Sequence, residues 1–454
     1  MGLKKALKII EAQKEIIDRQ EIIIKAHGEM NFNLKEIIKN QDKQIKNLEK
    51  QIGNLEELVK EKSKPSFVKK DVKEESKTSG QKTGHAGYSR HVPERIDKIK
   101  EHKLDTCPVC GEPVSDTQEI RERIIEDIEE PKTMNTKHLI HRCFCKKCNK
   151  IVELEIEDAL PNARFGLRLM MLVLILKLDS RIPSNKIVSL LSSVFGIKIS
   201  DGEIYGILKQ LAEAFADHYQ ELEKKIREAL VKHIDETSWR VNGKNNWLWI
   251  FINKEVALYV VNRRRSSKVP IEILGNQEGK TIIDDRFSAY NELARVSGCK
   301  QQICWAHLLR NSKDLAEHYS EAKYIHKRMK NIHRYAIKLN HKASKKDKET
   351  LLHWIDLIAS RSYKSTEVYK FVKSVCRNHR DNLFRFVDNP EIDSTNNRAE
   401  SGLRPAVVIR KISGGSRSED GAQITAKLLS VLQTMKIQTS NPYQGLLNLL
   451  QTTK

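Results

Sequence analysis

The stretch Val231-Lys-His-Ile-Asp-Glu-Thr-Ser-Trp-Arg-Val241 is rich in β-branched and aromatic residues, and it carries an aspartate, Asp235, at its middle. This composition predicts a β-strand. An aspartate within an apolar strand is costly to bury unless its carboxylate binds something. The stretch therefore predicts both a sheet and a functional acidic residue on that sheet.

The residues that follow predict the rest of a mixed domain, because apolar runs alternate with turn signals such as Asn242-Gly243. In chain order the predicted elements are strands at 247–253 and 256–262, a short helix at 267–274, strands at 281–285 and 301–305, helices from 306 to about 387, and C-terminal helices from 395 to 434. Three antiparallel strands followed by a helix, a strand and further helices are typical of a ribonuclease-H-like sheet with a helical insertion.

Two further acidic residues fall at informative places in this pattern. Asp285 ends the predicted strand Thr-Ile-Ile-Asp-Asp, and Glu400 lies in Asn-Asn-Arg-Ala-Glu on a predicted helix. Taken singly, each acid is more often a surface or capping residue. Carboxylates from two strands and a helix can nevertheless converge, and phosphoryl transfer on DNA uses two Mg²⁺ or Mn²⁺ ions about 3.5–4 Å apart that prefer oxygen ligands.

The charge of the chain favours a polyanionic partner. Lysine and arginine number 81 against 60 acids, which gives a net charge of +21 over 454 residues. Nucleic acid and an anionic membrane both fit such an excess. The longest apolar run, Leu169 to Leu176, is far shorter than the ~20 residues that span a bilayer. We therefore expect DNA as partner, no membrane, and a cytoplasmic, nucleoid-associated location.

Cysteines at two places have the spacing of a metal site. Cys107-Pro-Val-Cys110 and Cys145-Lys-Lys-Cys148 form two Cys-x-x-Cys pairs, and four thiolates suit one tetrahedral structural Zn²⁺. His141 is an alternative ligand, and Cys143 is a further cysteine next to the second pair. Alternating segments at 120–125 and 138–144 predict a β-hairpin between the pairs, within a zinc-binding module at 104–152.

The N-terminal residues 1–62 carry a heptad pattern. With Leu3 at position a, eight of the nine a positions are apolar and Asn31 is the exception. Isoleucine or valine at a with one buried asparagine favours a parallel two-stranded coiled coil, so we expect a homodimer through this arm. A helix that packs on its own domain is the alternative. Residues 63–103 predict a flexible basic linker.

Residues 153–230 predict a helical domain. Amphipathic segments at 185–194 and 203–214 flank a glycine turn, and Ser200-Asp-Gly-Glu203 fits a capping box. This arrangement is similar to a DNA-binding helix-turn-helix. Two packed helices without a DNA-reading role are the alternative.

Several motifs together resemble the transposases of the insertion-sequence sixty-six family. They are His233-Ile-Asp-Glu-Thr-Ser-Trp, Asp285-Arg-Phe-Ser-Ala-Tyr290, Cys304-Trp-Ala-His307-Leu-Leu-Arg310, Asn396-Asn-Arg-Ala-Glu400-Ser-Gly-Leu-Arg-Pro405 and the upstream Gly80-Gln-Lys-Thr-Gly84-His85-Ala-Gly87. The resemblance implies a ribonuclease-H-like catalytic domain, in two parts at 231–305 and 393–454 around an insertion at 306–392. It also implies Asp235, Asp285 and Glu400 as metal ligands, with Asp284 as the alternative second acid.

The residues around Glu400 suggest contacts to DNA phosphates. The candidate donors are Asn396, Asn397, Arg398, Arg404, Arg410 and Lys411. A solvated basic face is the alternative for them. Cys304 and His307 form a Cys-x-x-His for which the sequence supplies no further ligands, so packing against the core is expected. The loop 414–421 departs from the shorter form typical of the family.

The expected function is that of a transposase. It would bind the inverted-repeat ends of a mobile element, cleave DNA strands and join the 3′ ends to target DNA, with accessory proteins of the same element as further partners. Two alternatives remain: a non-catalytic DNA-binding remnant, and a nuclease of the same fold without strand transfer.

Overall fold

The computed structural model describes residues 92–452 and scattered helical positions between residues 11 and 51. The chain divides into two compact units, Met1–Glu126 and Asp127–Lys454. Most of the heptad predicted for the N-terminal arm, and the linker up to residue 91, lie outside the described residues. The coiled coil therefore stays a prediction.

The strands and helices named below lie in the second unit. The strands are β1 (Cys143–Cys145), β2 (Lys150–Val152), β3 (Val231–Val241), β4 (Lys244–Ile252), β5 (Ala257–Asn262), β6 (Thr281–Asp284) and β7 (Lys300–Ile303). The helices are α1 (Leu167–Leu174), α2 (Ser184–Phe195), α3 (Asp201–Ala214), α4 (Ala216–Glu228), α5 (Lys268–Leu274), α6 (Ser288–Ser297), α7 (Trp305–His318), α8 (Ser320–Lys338), α9 (Lys345–Ala359), α10 (Thr366–Val372), α11 (Asn397–Ser413), α12 (Glu419–Gln438) and α13 (Pro442–Thr452). Single π-helical turns extend α1 and α10.

A five-stranded mixed sheet forms the centre of this unit, in the order β5-β4-β3-β6-β7. The first three strands pair antiparallel, with Asp235 opposite Ile250 on β4. The last two strands, β6 and β7, run parallel to β3. The chain is thus a mixed α+β protein with a central mixed sheet and many helices, and the succession of strands read from the sequence is confirmed.

Helix α12 packs against β5, and its side chains accept hydrogen bonds from backbone N–H groups on the outer edge of that strand. The Ser430 hydroxyl accepts a hydrogen bond from Tyr259 N at 2.8 Å, and the Thr434 hydroxyl accepts one from Ala257 N at 3.0 Å. Both hydroxyls are buried, and their spacing of four residues puts them on one face of the helix. Side chains thus replace the missing neighbouring strand.

The segment between β7 and α11 forms a second hydrophobic core. Residues of α8 and α9 such as Met329 and Ile355 share this core with Ile283 of β6 and Ile303 of β7. The outer edge of β7 is also occupied, because Arg385 Nε donates to Gln301 O at 2.8 Å. The insertion therefore packs on the sheet as an integral part of the unit.

The N-terminal helices follow the sequence closely. Helices α2 and α3 occupy the two amphipathic segments, and Gly196 ends α2 with a left-handed φ of +67°. The Ser200 hydroxyl accepts a hydrogen bond from Glu203 N, and the Glu203 carboxylate accepts one from Ser200 N. The predicted capping box is therefore present. Whether this helix pair reads DNA stays a prediction.

The β-hairpin predicted between the cysteine pairs is wrong. Residues 115–142 contain no strand, and Ile120 and Ile125 in the first predicted segment are 83% and 71% exposed. Alternation produces a strand only where a second layer covers its apolar side, and none does so here. The strands found, β1 and β2, instead flank the second cysteine pair. Among the described residues, no helix is both long and apolar enough to cross a bilayer.

Candidate active site

Asp235 lies at the centre of β3, on the face that α11 covers. Successive strand residues alternate between faces, so His233, Asp235 and Thr237 point the same way. Burial and the charges of Asp285, Glu236 and Glu400 together raise the pKa of Asp235 to about 8. Three carboxylates therefore act on this position, and a site that gathers so much negative charge suits a bound cation.

Asp285 comes directly after β6, the strand that lies beside β3 and runs parallel to it. Its carboxylate accepts from Phe287 N at 3.0 Å, and the Asp284 carboxylate accepts from Arg286 N at 2.8 Å, which turns the chain away from the sheet. Arg286 between them has a left-handed φ of +73°. A non-glycine residue in this region is strained, and such strain often occurs at functional sites.

The two adjacent aspartates face different surroundings. Asp284 is fully buried, accepts a hydrogen bond from Gln301 Nε2 at 3.1 Å, and has a pKa that burial raises to about 7. The charge of Asp285, rather than that of Asp284, contributes to the raised pKa of Asp235. The surroundings of the two residues thus favour Asp285 over the buried Asp284 as the partner of Asp235.

Glu400 stands on the first turn of α11, and Asn396 fixes the start of this helix. Asn396 is fully buried; its Nδ2 donates to Ile234 O at 2.8 Å, and its Oδ1 lies 3.1 Å from His233 Nδ1. Its backbone N–H donates to Cys304 Sγ at 3.1 Å. Ile234, next to Asp235, is therefore tied to Asn396, which lies one helical turn before Glu400.

His233 extends this connection. It is buried, and its Nε2 lies 3.1 Å from the Asp393 carboxylate, which also meets Arg398 at 3.5 Å. His233 and Arg398 both lower the pKa of Asp393, with the hydrogen bond from His233 as the larger cause. We call His233, Asp393 and Asn396 the clasp, because together they join β3 to the start of α11.

Cys304 and His307 also approach Glu400. His307 Nδ1 lies 3.6 Å from Glu400 Oε1, and the potential ligand atoms of Cys304, His307 and Glu400 all lie within 4.8 Å of one another. His307 Nδ1 is a buried atom without a hydrogen-bond partner among the described residues. Cys304 is buried, and burial raises the pKa of its thiol. The sequence suggested no third ligand for Cys304 and His307. In the structure Glu400 lies where a third ligand would be needed.

A second cluster lies on the opposite face of β3. Tyr290 donates its hydroxyl to Glu236, and Arg265 Nε donates to the same carboxylate at 2.9 Å. The Arg265 guanidinium lies over the rings of Trp247 and Phe287, at 4.5 and 4.3 Å from the ring centroids. The sequence analysis assigned no role to these residues, although Phe287 and Tyr290 belong to the Asp-x-Phe-x-x-Tyr motif. The motif therefore anchors the turn that carries Asp285.

The six candidate phosphate donors divide into two groups. Asn397, Arg404 and Lys411 are exposed on α11. Arg410 instead reaches Ser238 and the Thr237 hydroxyl of β3, and Arg398 pairs with Asp393. Asn396 is fully buried with its side chain occupied, so its placement argues against contact with DNA. The sequence could not reveal this, because an asparagine four residues before a candidate metal-binding glutamate has the same local sequence in either role.

Each cysteine pair forms a tight turn within its own unit. Gly111 N donates to Cys107 O at 2.8 Å, and backbone N–H groups of Val109 and Cys110 lower the pKa of the Cys107 thiol. Cys148 N approaches Cys145 Sγ at 3.5 Å. The residue after each pair has a left-handed φ, +80° at Gly111 and +50° at Asn149. Such turns direct the two sulfur atoms of a pair to one side.

Comparison with known proteins adds one finding. The family described as Transposase IS66 family matches residues 162–424, which is more than half of the chain and includes Asp235, Asp285 and Glu400. A search of curated proteins returns no match.

Proposed function

The chain belongs to the IS66 family of transposases, and from that membership we propose that it is a catalytic DDE transposase with Asp235, Asp285 and Glu400 as its metal-binding acids. Membership itself implies an enzyme that binds DNA and acts in transposition. The observation that carries the finer proposal is the placement of the acids: Asp235 lies on β3, Asp285 directly follows the adjacent parallel strand β6, and Glu400 lies on the first turn of α11, which packs against β3. Burial and the charges of Asp285 and Glu400 help to raise the pKa of Asp235 to about 8. Like charges collected in this way favour divalent cations.

The strand order supports a ribonuclease-H-like assignment for the catalytic domain. Three antiparallel strands continue into two strands parallel to the first, and the acids stand on the first strand, after the fourth, and on a later helix. This order brings β3 and β6 side by side, so that Asp235 and Asp285 come from neighbouring strands. The insertion at 306–392 lies between the second and third acids.

The proposed reaction is two in-line attacks on phosphodiesters. In the first, the oxygen of water bonds to phosphorus at the element end while the P–O3′ bond breaks, which leaves a 3′ hydroxyl on the element. In the second, that hydroxyl oxygen attacks a target phosphodiester, and a target 3′ oxygen leaves and takes a proton. Two bound Mg²⁺ or Mn²⁺ ions would polarise the attacking and leaving oxygens. The acids would hold these ions, and the clasp positions the helix that carries Glu400.

The fit of this metal pair rests on the chain's own donors. Carboxylate oxygens are the ligands that Mg²⁺ and Mn²⁺ prefer. His307 offers a further nitrogen beside Glu400, and its Nδ1 has no hydrogen-bond partner within residues 92–452. Imidazole binds Mn²⁺ more readily than Mg²⁺. A catalytic metal at Glu400 would thus have a fourth protein ligand within reach.

We also propose one structural Zn²⁺ held by Cys107, Cys110, Cys145 and Cys148, and a homodimer through the arm at 1–62. The similar turns of the two cysteine pairs support the first, and the heptad supports the second. For the arm, light scattering should give a smaller mass after deletion of residues 1–62; an unchanged mass would contradict it. DNA reading by α2 and α3, accessory proteins of the same element and a nucleoid location are further parts of the proposal.

Substitution of the acids tests the catalytic assignment. Asp235→Asn, Asp285→Asn and Glu400→Gln should each abolish cleavage and joining of element ends in Mg²⁺ or Mn²⁺, while DNA binding persists. Double variants should be little worse than single ones, because the acids act as a unit. Asp284→Asn is the matched control, and its cleavage and joining activity should fall much less.

Two outcomes would contradict the proposal. A folded, DNA-binding Glu400→Gln protein that cuts at the normal rate would remove Glu400 from the site. A wild-type protein that binds ends without cutting them would favour the non-catalytic remnant. Cutting without joining would instead identify a nuclease.

A further inference from the structure

Helix α8 in the insertion has two sharply different faces. Ala322, Ile325, Met329 and Ile332 lie on its buried side, against the second core. On the side opposite to them lie five exposed basic residues, which we call the basic stripe. They are Lys323, Lys327, Lys330, Arg334 and Lys338.

The basic stripe has no salt-bridge partner among the residues that the structure describes. Helix α8 contains one acid, Glu321, whose carboxylate accepts instead from the backbone N–H groups of Lys364 and Ser365. Within residues 92–452 no side chain of the stripe forms a salt bridge, whereas exposed basic residues elsewhere, such as Lys225 and Arg295, do so.

This arrangement does not serve the stability of the helix. Successive members of the stripe are three or four residues apart, and like charges at these spacings repel. The buried face, with polar contacts such as Tyr335 Oη to Asp347, holds α8 in place without any contribution from the stripe. A row of repelling charges opposite that face is better explained by a ligand that supplies the missing negative charge.

We propose that the basic stripe binds the phosphodiester backbone of duplex DNA. From Lys323 to Lys338 the helix rises by roughly 22 Å, since each residue adds about 1.5 Å. One DNA strand carries a phosphate about every 3.4 Å of helix axis, so a straight track of this length passes several phosphates. Long lysine side chains can follow the curve of the backbone. The stripe would hold DNA independently of its sequence.

This inference rests on the proposed function only in taking DNA as the ligand, since binding needs none of the catalytic acids. Its test uses the full-length chain and a fluorescently labelled duplex of random sequence, without divalent metal. The variant Lys323→Gln/Lys327→Gln/Lys330→Gln removes three charges. The control Lys224→Gln/Lys268→Gln/Lys300→Gln removes three exposed charges elsewhere in the second unit.

The measured quantity is the slope of log affinity against log salt concentration. Each lost phosphate contact should reduce the magnitude of this slope by ~0.9. The slope of the stripe variant should therefore be smaller than that of wild type by about 2–3, and the slope of the control should change far less. Thermal unfolding should show the stripe variant to be at least as stable as wild type, because repulsion is relieved.

An unchanged slope in the stripe variant, or an equal loss in the control, would overturn the inference. Cleavage assays on the same proteins keep the two proposals apart. A stripe-dependent slope in a protein that never cuts DNA would defeat the catalytic proposal alone. Normal cutting with an unaffected slope would defeat the stripe alone.

Discussion

Asn396 ties the helix that carries Glu400 to the strand that carries Asp235. Its amide replaces a direct contact between the two acids, which would repel each other. Asn396→Ala would leave Ile234 O and His233 Nδ1 without their partner, and each unsatisfied buried group costs about 1–3 kcal/mol. A residue with this role positions the acids and touches no substrate.

We predict that Asn396→Ala raises the metal concentration needed for half-maximal cleavage by about tenfold or more, as loss of an outer-shell partner commonly does. The assay is cleavage against Mg²⁺ and Mn²⁺ concentration, at a temperature where the variant is folded. Asn331→Ala on the exposed side of α8 is the control for losing an amide. A lower rate with an unchanged metal requirement would show that Asn396 serves folding only.

The pKa of Asp235 predicts how stability depends on pH. Its ordinary pKa is about 3.9, and the folded-state value is about 8, so between these values the folded state holds a proton more tightly than the unfolded state. Wild-type stability should therefore fall as pH rises through this window. Asp235→Asn cannot ionise, and in buffer without Mg²⁺ or Mn²⁺ its stability advantage over wild type should grow steadily as pH rises through this window.

Denaturant unfolding at several pH values measures this difference. Asp356→Asn is the control of opposite sign, because the hydrogen bond from Arg380 lowers the pKa of Asp356 and its charged form stabilises the fold. Added Mg²⁺ should stabilise wild type and leave Asp235→Asn unaffected. Parallel stability curves for wild type and Asp235→Asn would contradict the assignment of the buried charge.

Single residues differed in how far the sequence could place them. Asp235 and Glu400 could be chosen as candidates from the sequence, because an acid in an apolar strand and an acid in a recognisable motif are local signals. Asn396 could not, because its partners at Ile234 and His233 are more than 160 residues away. The approach of His307 to Glu400 likewise depends on two helices meeting. Contacts across the fold leave no local signal in one sequence.

Among the structural elements, the loop after α11 is tied to the end of β3. Ser416 N donates to Arg240 O at 2.8 Å, and Asn242 N donates to Ser416 O at 2.9 Å. A Cβ on Gly415 would lie 2.2 Å from Arg240 O, while a Cβ on the adjacent Gly414 would meet nothing within 4 Å. The loop at 414–421 is thus held closely against the sheet.

We predict that Gly415→Ala destabilises the protein by about 2–4 kcal/mol, since the strain of a left-handed backbone adds to a clash with a carbonyl. Gly414→Ala, with a φ of +74° and open space, should cost only about 1 kcal/mol. Thermal unfolding of the two variants compares them directly. Equal effects would mean that the close approach to Arg240 does not hold in solution.

Elements could be predicted from sequence where burial enforces their period. The strands β3, β4 and β5 lie in the core, and their bounds agree with the sequence to within a few residues. The predicted strand at 301–305 ends early at Ile303, because Cys304 begins the turn into α7. Around Ile120 and Ile125 the same alternation produced no strand, since those side chains are exposed. Pattern alone does not distinguish these cases.

At the scale of the whole molecule, the cysteine pairs belong to two different units. We predict about one zinc per chain and its loss in Cys107→Ser or Cys148→Ser. Plasma emission analysis of protein purified without chelators measures the content.

Cys143→Ser is the matched control for the zinc prediction, because this exposed cysteine stands two residues before Cys145 and outside both pairs. It should keep its zinc. A zinc-free wild-type protein would contradict the site, and an equal loss in Cys143→Ser would contradict the choice of ligands.

The two closed edges of the central sheet have a consequence for crowding. Ser430 and Thr434 occupy the backbone donors of β5, and Arg385 occupies an acceptor of β7. An open strand edge can recruit another chain and start aggregation. If several copies bind one DNA molecule, their sheets come to a high local concentration. With both outer strands engaged by side chains, neighbouring copies can crowd together without polymerising edge to edge.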